Sequence, residues 1–283
     1  AIYAEKKGEE DKIFQGLNKL AEEDYTYTVA KNAETGEMLI GGQGETHLDV
    51  ITRKLKAKFN VSALLKTPKI AYRETIRKTV EAEGKHKKQS GGHGQYGHCK
   101  IRFEPFDGDF EFAEEVVGGS VPKQYIPAVE KGLIECLPHG VLAGYPVTGL
   151  RAVLYDGSYH DVDSSEMAFK LAAALAFKEG LKNAKPVLLE PVMKLKIAIP
   201  ENFLGDIMGD MNKRRGRILG IDMLEDMQIV NAEAPQAEIQ KYATDLRSMT
   251  QGRGKFTAEL ARYEEVPAGE ADKIVKARAA EQS

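Results

Sequence analysis

The chain of 283 residues carries 40 lysines and arginines against 43 acidic residues, which gives a formal net charge of −3, and 42% of its residues are hydrophobic. This slight acidity excludes a protein that coats nucleic acid with its whole surface, so any contact with RNA has to use local basic patches. No run of about 20 apolar residues is present, which excludes a membrane-spanning helix. The length predicts two or three domains.

Two features of the sequence bear on where the protein works. Cys99 and Cys136 lie far apart and form no C-x-x-C pair, which is typical of a reducing compartment and gives no zinc site. The chain begins at Ala1 rather than at a methionine, and no signal peptide opens it. We therefore expect a piece of a longer, cytoplasmic protein.

Residues 1–67 predict a first domain with the element order β-α-β-β-α-β. Ile13, Leu17 and Leu20 lie at helical spacing within residues 8–24. The other elements are predicted at residues 25–29, 38–40, 48–59 and 61–65. This order is the split βαβ, or ferredoxin-like, arrangement.

Residues 68–188 predict a second domain of a different kind, with long strands and two helices. The strands are expected at 71–83, 97–105 and 147–155, and the first helix at 123–137. The second helix begins near Ser164, and its Met167, Leu171 and Leu175 are predicted to face the core. Asp163 and Glu166 have the spacing of a capping box at its start.

Residues 189–283 predict a second ferredoxin-like domain. The strand around 193–199, a helix at 203–211, two strands at 217–224 and 227–234, a helix near Tyr242 and a last strand near Phe256 repeat the order of the first domain. The expected fold is therefore α+β, with two ferredoxin-like domains flanking the middle one.

The segment 84–100 is the most unusual part of the sequence, because it contains no acidic residue and holds three of the six histidines. Its glycines permit positive φ and expose backbone N–H groups. Its lysines attract phosphate, and Tyr96 offers a ring on which a base can stack. The segment predicts an RNA-contacting hairpin, although a flexible solvated loop fits the composition equally well.

Two other interpretations of this segment are weaker. Gly92, Gly94 and Gly97 match G-x-G-x-x-G, but a strand rather than a helix is predicted to follow, which excludes the dinucleotide-binding interpretation. His86, His93 and His98 are irregularly spaced and have no carboxylate among them. We therefore expect no metal site, although an enzyme that uses these histidines as metal ligands is the alternative from another class of protein.

Two further segments are candidates for contact with RNA. His160 lies in a loop at 156–161 before the second helix of the middle domain, where it is either a donor to RNA or a turn residue with no partner. Lys213, Arg214 and Arg215 cluster at the end of a predicted helix. They either complement the helix dipole or contact phosphate.

Several catalytic signatures are absent from the sequence. It contains no G-x-x-x-x-G-K-[ST] loop, no G-x-S-x-G and no H-E-x-x-H. We therefore expect no catalytic residue and no GTP hydrolysis by this chain alone.

Taken together, the motifs of the chain resemble those of the elongation factor G family over essentially its whole length. The glycine-rich turn at 41–50, the tip loops at 89–98 and 158–166 and the stretch 242–254 resemble ordered motifs of that family. Other matches lie at 71–76, 118–119, 125–129, 190–191 and 209–216. In this comparison the three predicted domains are similar to the third, fourth and fifth domains of the family.

The resemblance implies a fold, a function and partners. The middle domain would have the fold of the second domain of ribosomal protein S5. The whole protein would be a GTPase that promotes translocation of transfer RNA and messenger RNA on the ribosome, with GTP and magnesium bound in N-terminal domains and no cofactor in this chain. We expect a monomer whose partners are the decoding site, the GTPase-associated region and its own GTPase domain.

The resemblance also implies which residues contact the ribosome and where the family pattern is broken. The implied contacts are Ser90, Gly91, Gly92, His93, Gln95, Tyr96, Ser158 and His160 at the decoding site, and Lys213, Arg214 and Arg215 near large-subunit RNA. His93 stands where the family more often has arginine. A paralogue that acts in ribosome recycling or ribosome protection is therefore the alternative function.

Overall fold

The computed structural model describes residues 1–89 and 94–282. Helices and strands are mixed, and the strands form several separate sheets, which confirms the predicted α+β class. Contacts within the chain define two compact units: Ala1–Ala71 with Glu190–Tyr263, and Tyr72–Leu189 with Glu264–Ser283. The first predicted domain and the last one as far as Tyr263 thus belong to one unit, and the predicted boundaries at 67 and 188 stay a prediction.

The first sheet has the predicted ferredoxin-like order, β2-β3-β1-β4. Its elements are β1 (Ile2–Ala4), α1 (Glu10–Glu23), β2 (Thr28–Lys31), β3 (Met38–Gly41), α2 (Glu45–Phe59) and β4 (Ala63–Leu65). Ile13, Leu17 and Leu20 of α1 are buried against Ile51 and Leu55 of α2. Apolar residues three and four positions apart lie on one face of a helix, so each helix presents one apolar stripe to the core.

The middle sheet has the order β6-β7-β9-β8, with β8 parallel to β9. The elements of this segment are β5 (Arg73–Ile76), β6 (Val80–Lys88), β7 (Gln95–Pro105), β8 (Phe110–Glu114), α3 (Ile126–Cys136), β9 (Leu150–Ser158) and α4 (Glu166–Asn183). The predicted strand at 71–83 is two strands, because the N–H groups of Arg77 and Lys78 both donate to the Ala184 carbonyl. The strand β8 was not predicted from the sequence.

The pairing of β7 with β9 contains one irregularity. Lys100 pairs with Asp156, but Ile101 pairs with Leu154, so β9 has one extra residue at this point. Such a bulge changes which side chains of the longer strand face each side of the sheet.

The predicted inward face of α4 is wrong. Met167, Leu171 and Leu175 are 60%, 39% and 46% exposed, and the buried face is lined by Ala168, Phe169, Ala172, Ala173, Ala176 and Phe177. The reason is that this helix is apolar on more than one face, so spacing alone does not select the buried one. The small side chains allow its backbone to approach the sheet directly.

The predicted capping box of α4 is also wrong. The helix is capped by Ser165, whose Oγ accepts a hydrogen bond from the Ala168 N–H at 3.2 Å. Asp163 lies two residues earlier and binds a different part of the chain.

The last sheet repeats the ferredoxin-like order as β11-β12-β10-β13. Its elements are β10 (Pro186–Pro200), α5 (Leu204–Lys213), β11 (Arg217–Leu224), β12 (Met227–Pro235), α6 (Tyr242–Met249) and β13 (Lys255–Glu265). The core of this sheet includes Leu195, Ile197, Ile207, Val230 and Tyr242. A final helix, α7 (Ala268–Gln282), was not predicted.

Candidate nucleic-acid interface

The two predicted tip loops lie at the same end of the middle sheet. Strands β6 and β7 pair as far as Lys88 and Gln95, and β7 pairs with β9 from His98 and Ser158 onwards. The end of β9 therefore adjoins the hairpin. Ser90, Gly91, Gly92 and His93 lie outside the described residues, and their predicted contacts with RNA stay predictions.

The ring of Tyr96, from the first tip segment, lies against the ring of His160, from the second. Their centroids are 4.9 Å apart with an angle of 54° between the planes. Tyr96 is half-buried and His160 is exposed. The fold thus brings together two side chains that the sequence analysis selected separately.

Ser158 joins two side chains of β7, Tyr96 and His98. Its Oγ lies 2.7 Å from the Tyr96 hydroxyl and 2.6 Å from Nδ1 of His98. On the other side of the His98 ring, Nε2 lies 2.9 Å from the Glu83 carboxylate. Ser158 was predicted to contact RNA, and its hydroxyl is already engaged by Tyr96 and His98.

The strand β6 beside the ring pair carries four basic side chains in succession, Lys85 to Lys88. The Lys85 ammonium lies 5.8 Å from the centre of the Tyr96 ring, and His86 Nε2 lies 2.9 Å from the Gln95 side-chain oxygen. Lys87 and Lys88 on the same strand are exposed. Lysines beside an aromatic ring can attract phosphate while a base stacks on the ring.

The segment 84–100 contains no acidic residue, but acidic side chains from other parts of the chain lie next to it. The Asp163 carboxylate accepts a hydrogen bond from the Gly94 N–H at 2.9 Å. Lys100 lies 2.9 Å from Asp156 and holds the pKa of that carboxyl at about 2. Within residues 1–89 and 94–282, no group of three or more His, Cys, Asp or Glu side chains is placed to hold a metal ion.

The basic cluster after α5 is tied to carboxylates of its own unit. The Arg214 guanidinium lies 2.7 Å from Asp210 and 2.6 Å from Asp245. Arg215 forms a two-bond contact with Glu190, at 2.6 and 3.0 Å. Contact of these two arginines with RNA stays a prediction, and it would have to compete with these ion pairs.

Lys213 lies in the last turn of α5 and is exposed. A cation in the last turn of a helix interacts favourably with the helix dipole. The same exposure leaves Lys213 accessible to a phosphate.

Comparisons with known families cover nearly the whole chain. The model for Elongation Factor G, domain III matches residues 1–67. The model for Elongation factor G, domain IV matches residues 68–185, and that for Elongation factor G C-terminus matches residues 187–274. The chain belongs to the elongation factor G family.

A solved structure is similar to this member of the elongation factor G family over almost all of its length. It is the crystal structure of ttk003000868 from Thermus thermophilus, with a TM-score of 0.89 and 43% sequence identity over 99% of this chain. The chain covers 42% of that longer protein. In the part of the chain that the structure describes, no helix has the length and apolar character needed to cross a membrane.

Some residues that organise the site of this family member were missed from the sequence. His98 was considered only as a metal ligand, Asp163 only as a helix cap and Glu83 not at all. Their contacts with Ser158, Gly94 and one another depend on pairing between distant strands, which local spacing does not reveal.

The outer face of the last sheet carries an ion-pair group with a predicted pH dependence. Glu233 lies between Arg262 and Arg217, with both N–O distances at 2.8 Å. The guanidiniums of Arg262 and Arg217 lower the pKa of Glu233 from its ordinary 4.5 to about 2. This lowered pKa means that the ionised carboxylate stabilises the fold above pH 4.5, and that the stabilisation is lost as pH falls towards 2.

We expect the free energy of unfolding to fall by about 1–2 kcal/mol over that range through this group, after allowance for screening by solvent. Urea unfolding at a series of pH values measures it. Glu233→Gln should be less stable than wild type at pH 6 and should lack this part of the pH dependence. Glu259→Gln, at an exposed position on β13, is the charge-matched control. Equal pH dependence in wild type and Glu233→Gln would contradict the prediction.

Proposed function

We propose that this chain is the ribosome-binding C-terminal part of a translational GTPase that promotes translocation of transfer RNA and messenger RNA. Membership of the elongation factor G family supports a role in protein synthesis. The observation that carries the proposal is the pairing of Tyr96 with His160 at the end of the middle sheet. The proposed partners are the decoding site, the GTPase-associated region and a GTPase domain that binds GTP and magnesium, in the cytoplasm.

The chemistry of the tip suits single-stranded or loop RNA. The Tyr96 ring can stack on a base and His160 can donate a hydrogen bond, while Lys85, Lys87 and Lys88 attract the phosphate backbone. The chain as a whole is slightly acidic, so this attraction is confined to a local patch. A patch of this kind favours docking in one orientation over general adhesion to RNA.

We expect His160→Ala in the full-length factor to slow translocation about tenfold, because one base or phosphate contact is worth about 1–3 kcal/mol. GTP hydrolysis should change little, since this chain contains no G-x-x-x-x-G-K-[ST] loop. Rapid kinetics of messenger RNA movement and of phosphate release measure the two steps separately.

The control for this experiment is His139→Ala. His139 is an exposed histidine that follows the C-terminal end of α3, whereas the N-terminal end of α3 adjoins the tip through Tyr125 and Ser164. His139→Ala should translocate at the wild-type rate. A wild-type rate in His160→Ala would refute the assignment of the tip.

A paralogue that acts in ribosome recycling or ribosome protection is the second candidate function. It is favoured by His93, which replaces the arginine more usual in the family and therefore exchanges a permanent charge for one that titrates near neutral pH. Full-length factor that splits post-termination ribosomes but does not move messenger RNA would support this candidate over the first.

A further inference from the structure

Asp163 contacts the first tip segment through both its side chain and its backbone. Its Oδ1 accepts a hydrogen bond from the Gly94 N–H at 2.9 Å, across 69 residues of sequence. Its carbonyl oxygen accepts a hydrogen bond from the Tyr96 N–H at 2.8 Å. Gly94 immediately precedes β7 and Tyr96 is its second residue, so Asp163 connects the loop before α4 to the hairpin.

The side chain of Asp163 is available for this contact because α4 does not need it. Ser165 supplies the helix cap. Gly94 also contributes, since a Cβ at that position would lie 3.0 Å from the Asp163 carboxylate. A glycine therefore lets the carboxylate approach the backbone N–H closely, and a hydrogen bond to an ionised acceptor is stronger than one between neutral groups.

The residue after Asp163 holds His160. The Ser164 Oγ accepts a hydrogen bond from the His160 N–H at 2.8 Å, and the Ser164 N–H donates to the His160 carbonyl at 3.1 Å. Tyr125 also contacts this turn. Its hydroxyl donates a hydrogen bond to the Ser164 carbonyl, and its ring stacks on Phe169 with centroids 4.8 Å apart. Asp163 therefore binds the backbone of Tyr96, and the adjacent Ser164 binds the backbone of His160.

We propose that Asp163 is a positioning residue for RNA contact, which ties the beginning of β7 to the His160 loop before RNA arrives. The proposal rests on the proposed function, because it names the residue that sets the distance between the two RNA-contacting rings. Holding both rings in place in advance lowers the ordering cost of binding. Asp163 itself need not touch RNA.

Three variants of the full-length protein test this proposal: Asp163→Ala, Asp163→Asn and Ser165→Ala. Residue-resolved hydrogen exchange gives the first measurement. We expect the Gly94 amide to exchange about tenfold faster in Asp163→Ala, since it loses a charge-assisted hydrogen bond. Asp163→Asn keeps an acceptor oxygen and should restore most of the protection. Ser165→Ala should leave Gly94 exchange unchanged while lowering the thermal midpoint by roughly 2–5 °C.

The second measurement is the rate of translocation. Asp163→Ala should slow it by about fivefold with GTP hydrolysis unchanged, and the effect should be smaller in a His160→Ala background, because residues that act through one contact are not additive. Asp163→Asn should be close to wild type. Rescue by asparagine separates positioning by a hydrogen bond from a general loss of stability.

Several outcomes would overturn the proposal. These are unchanged Gly94 exchange in Asp163→Ala, equal impairment of Asp163→Asn and Asp163→Ala, or normal translocation by Asp163→Ala when His160→Ala is slow. Faster Gly94 exchange with normal translocation in both Asp163→Ala and His160→Ala would instead overturn the proposed function and leave the tie between the loops standing.

Discussion

Gly84→Ala is expected to destabilise the middle segment by about 3 kcal/mol or more. An alanine Cβ at this position would lie 1.9 Å from the Ala172 carbonyl oxygen and 2.7 Å from the Ala176 backbone nitrogen. Both atoms belong to the backbone of α4, so no side chain can rotate away to relieve the collision. The helix would have to move off β6, and the alanine and phenylalanine face that packs against the sheet would lose its contacts.

Urea unfolding followed by circular dichroism measures this effect as a shift of the transition midpoint. Gly269→Ala is a matched control in the same compact unit: it lies in α7, and a Cβ there would meet nothing within 4 Å. That substitution should be neutral or stabilising by up to about 1 kcal/mol, because alanine is the better helix former. A Gly84→Ala midpoint equal to that of wild type would show that the strand and helix are not in direct backbone contact.

Glu74→Ala is expected to cost about 3 kcal/mol or more, because it removes a buried acceptor shared by several backbone donors. Glu74 is only 1% exposed. Its carboxylate accepts hydrogen bonds from the N–H groups of Leu142, Ala143 and Tyr145, at 2.8, 2.8 and 3.0 Å. Alanine would leave three N–H donors of half-buried residues without their acceptor.

Glu74→Gln gives a graded comparison for the same site. Glutamine keeps one carboxamide oxygen as an acceptor but turns an NH₂ group towards at least one of the three donors, so its loss of stability should be intermediate. Glu114→Ala, at an exposed position on β8, should change stability by less than about 0.5 kcal/mol. Equal stability of wild type and Glu74→Ala would mean that the turn at 142–145 does not depend on the carboxylate.

The elements that sequence reasoning located best are those with one apolar face. In α1, Ile13, Leu17 and Leu20 define a single apolar face, and all three are buried. Periodicity works for this helix because it has one side in the core and one in water. The limits predicted for β11 also agree with the observed Arg217–Leu224, although every residue of that strand is exposed or half-buried.

Sequence reasoning failed where a helix packs closely on glycines, because a glycine has no side chain to contribute to a hydrophobic pattern. Gly84 was placed outside the predicted strand at 71–83 and Gly97 at the start of the predicted strand at 97–105. Both lie inside strands that pack on α4, and a Cβ on Gly97 would be 2.3 Å from the Ala168 carbonyl oxygen. The glycines of β6 and β7 leave room for the alanine-rich face of α4 to pack on the sheet, so Met167 and Leu171 are on the exposed side of the helix. Neither the glycines of the strands nor the alanines of the helix reveal this packing when each segment is considered alone.

The basic cluster and the tip show the same limit for electrostatics. Arg215 is bound by Glu190 and Glu238, which lie 25 and 23 residues away in the chain. The sequence shows a run of positive charge, whereas the fold neutralises much of it. At the tip the fold brings the two selected rings together, but the hydrogen bonds from Ser158 to Tyr96 and His98 depend on strand register.

The extra residue in β9 determines whether the side chain of Ser158 faces Tyr96 and His98. Alternation from the buried Leu154 would turn Asp156 and Ser158 towards the core, yet the added residue between Leu154 and Asp156 turns both to the side that carries His98 and Tyr96. A strand of the same length and sequence that paired regularly from Leu154 onwards would retain every residue of the tip motif and still turn Ser158 towards the core. The register of β9, and not the motif residues alone, therefore decides whether Ser158 can bind Tyr96 and His98.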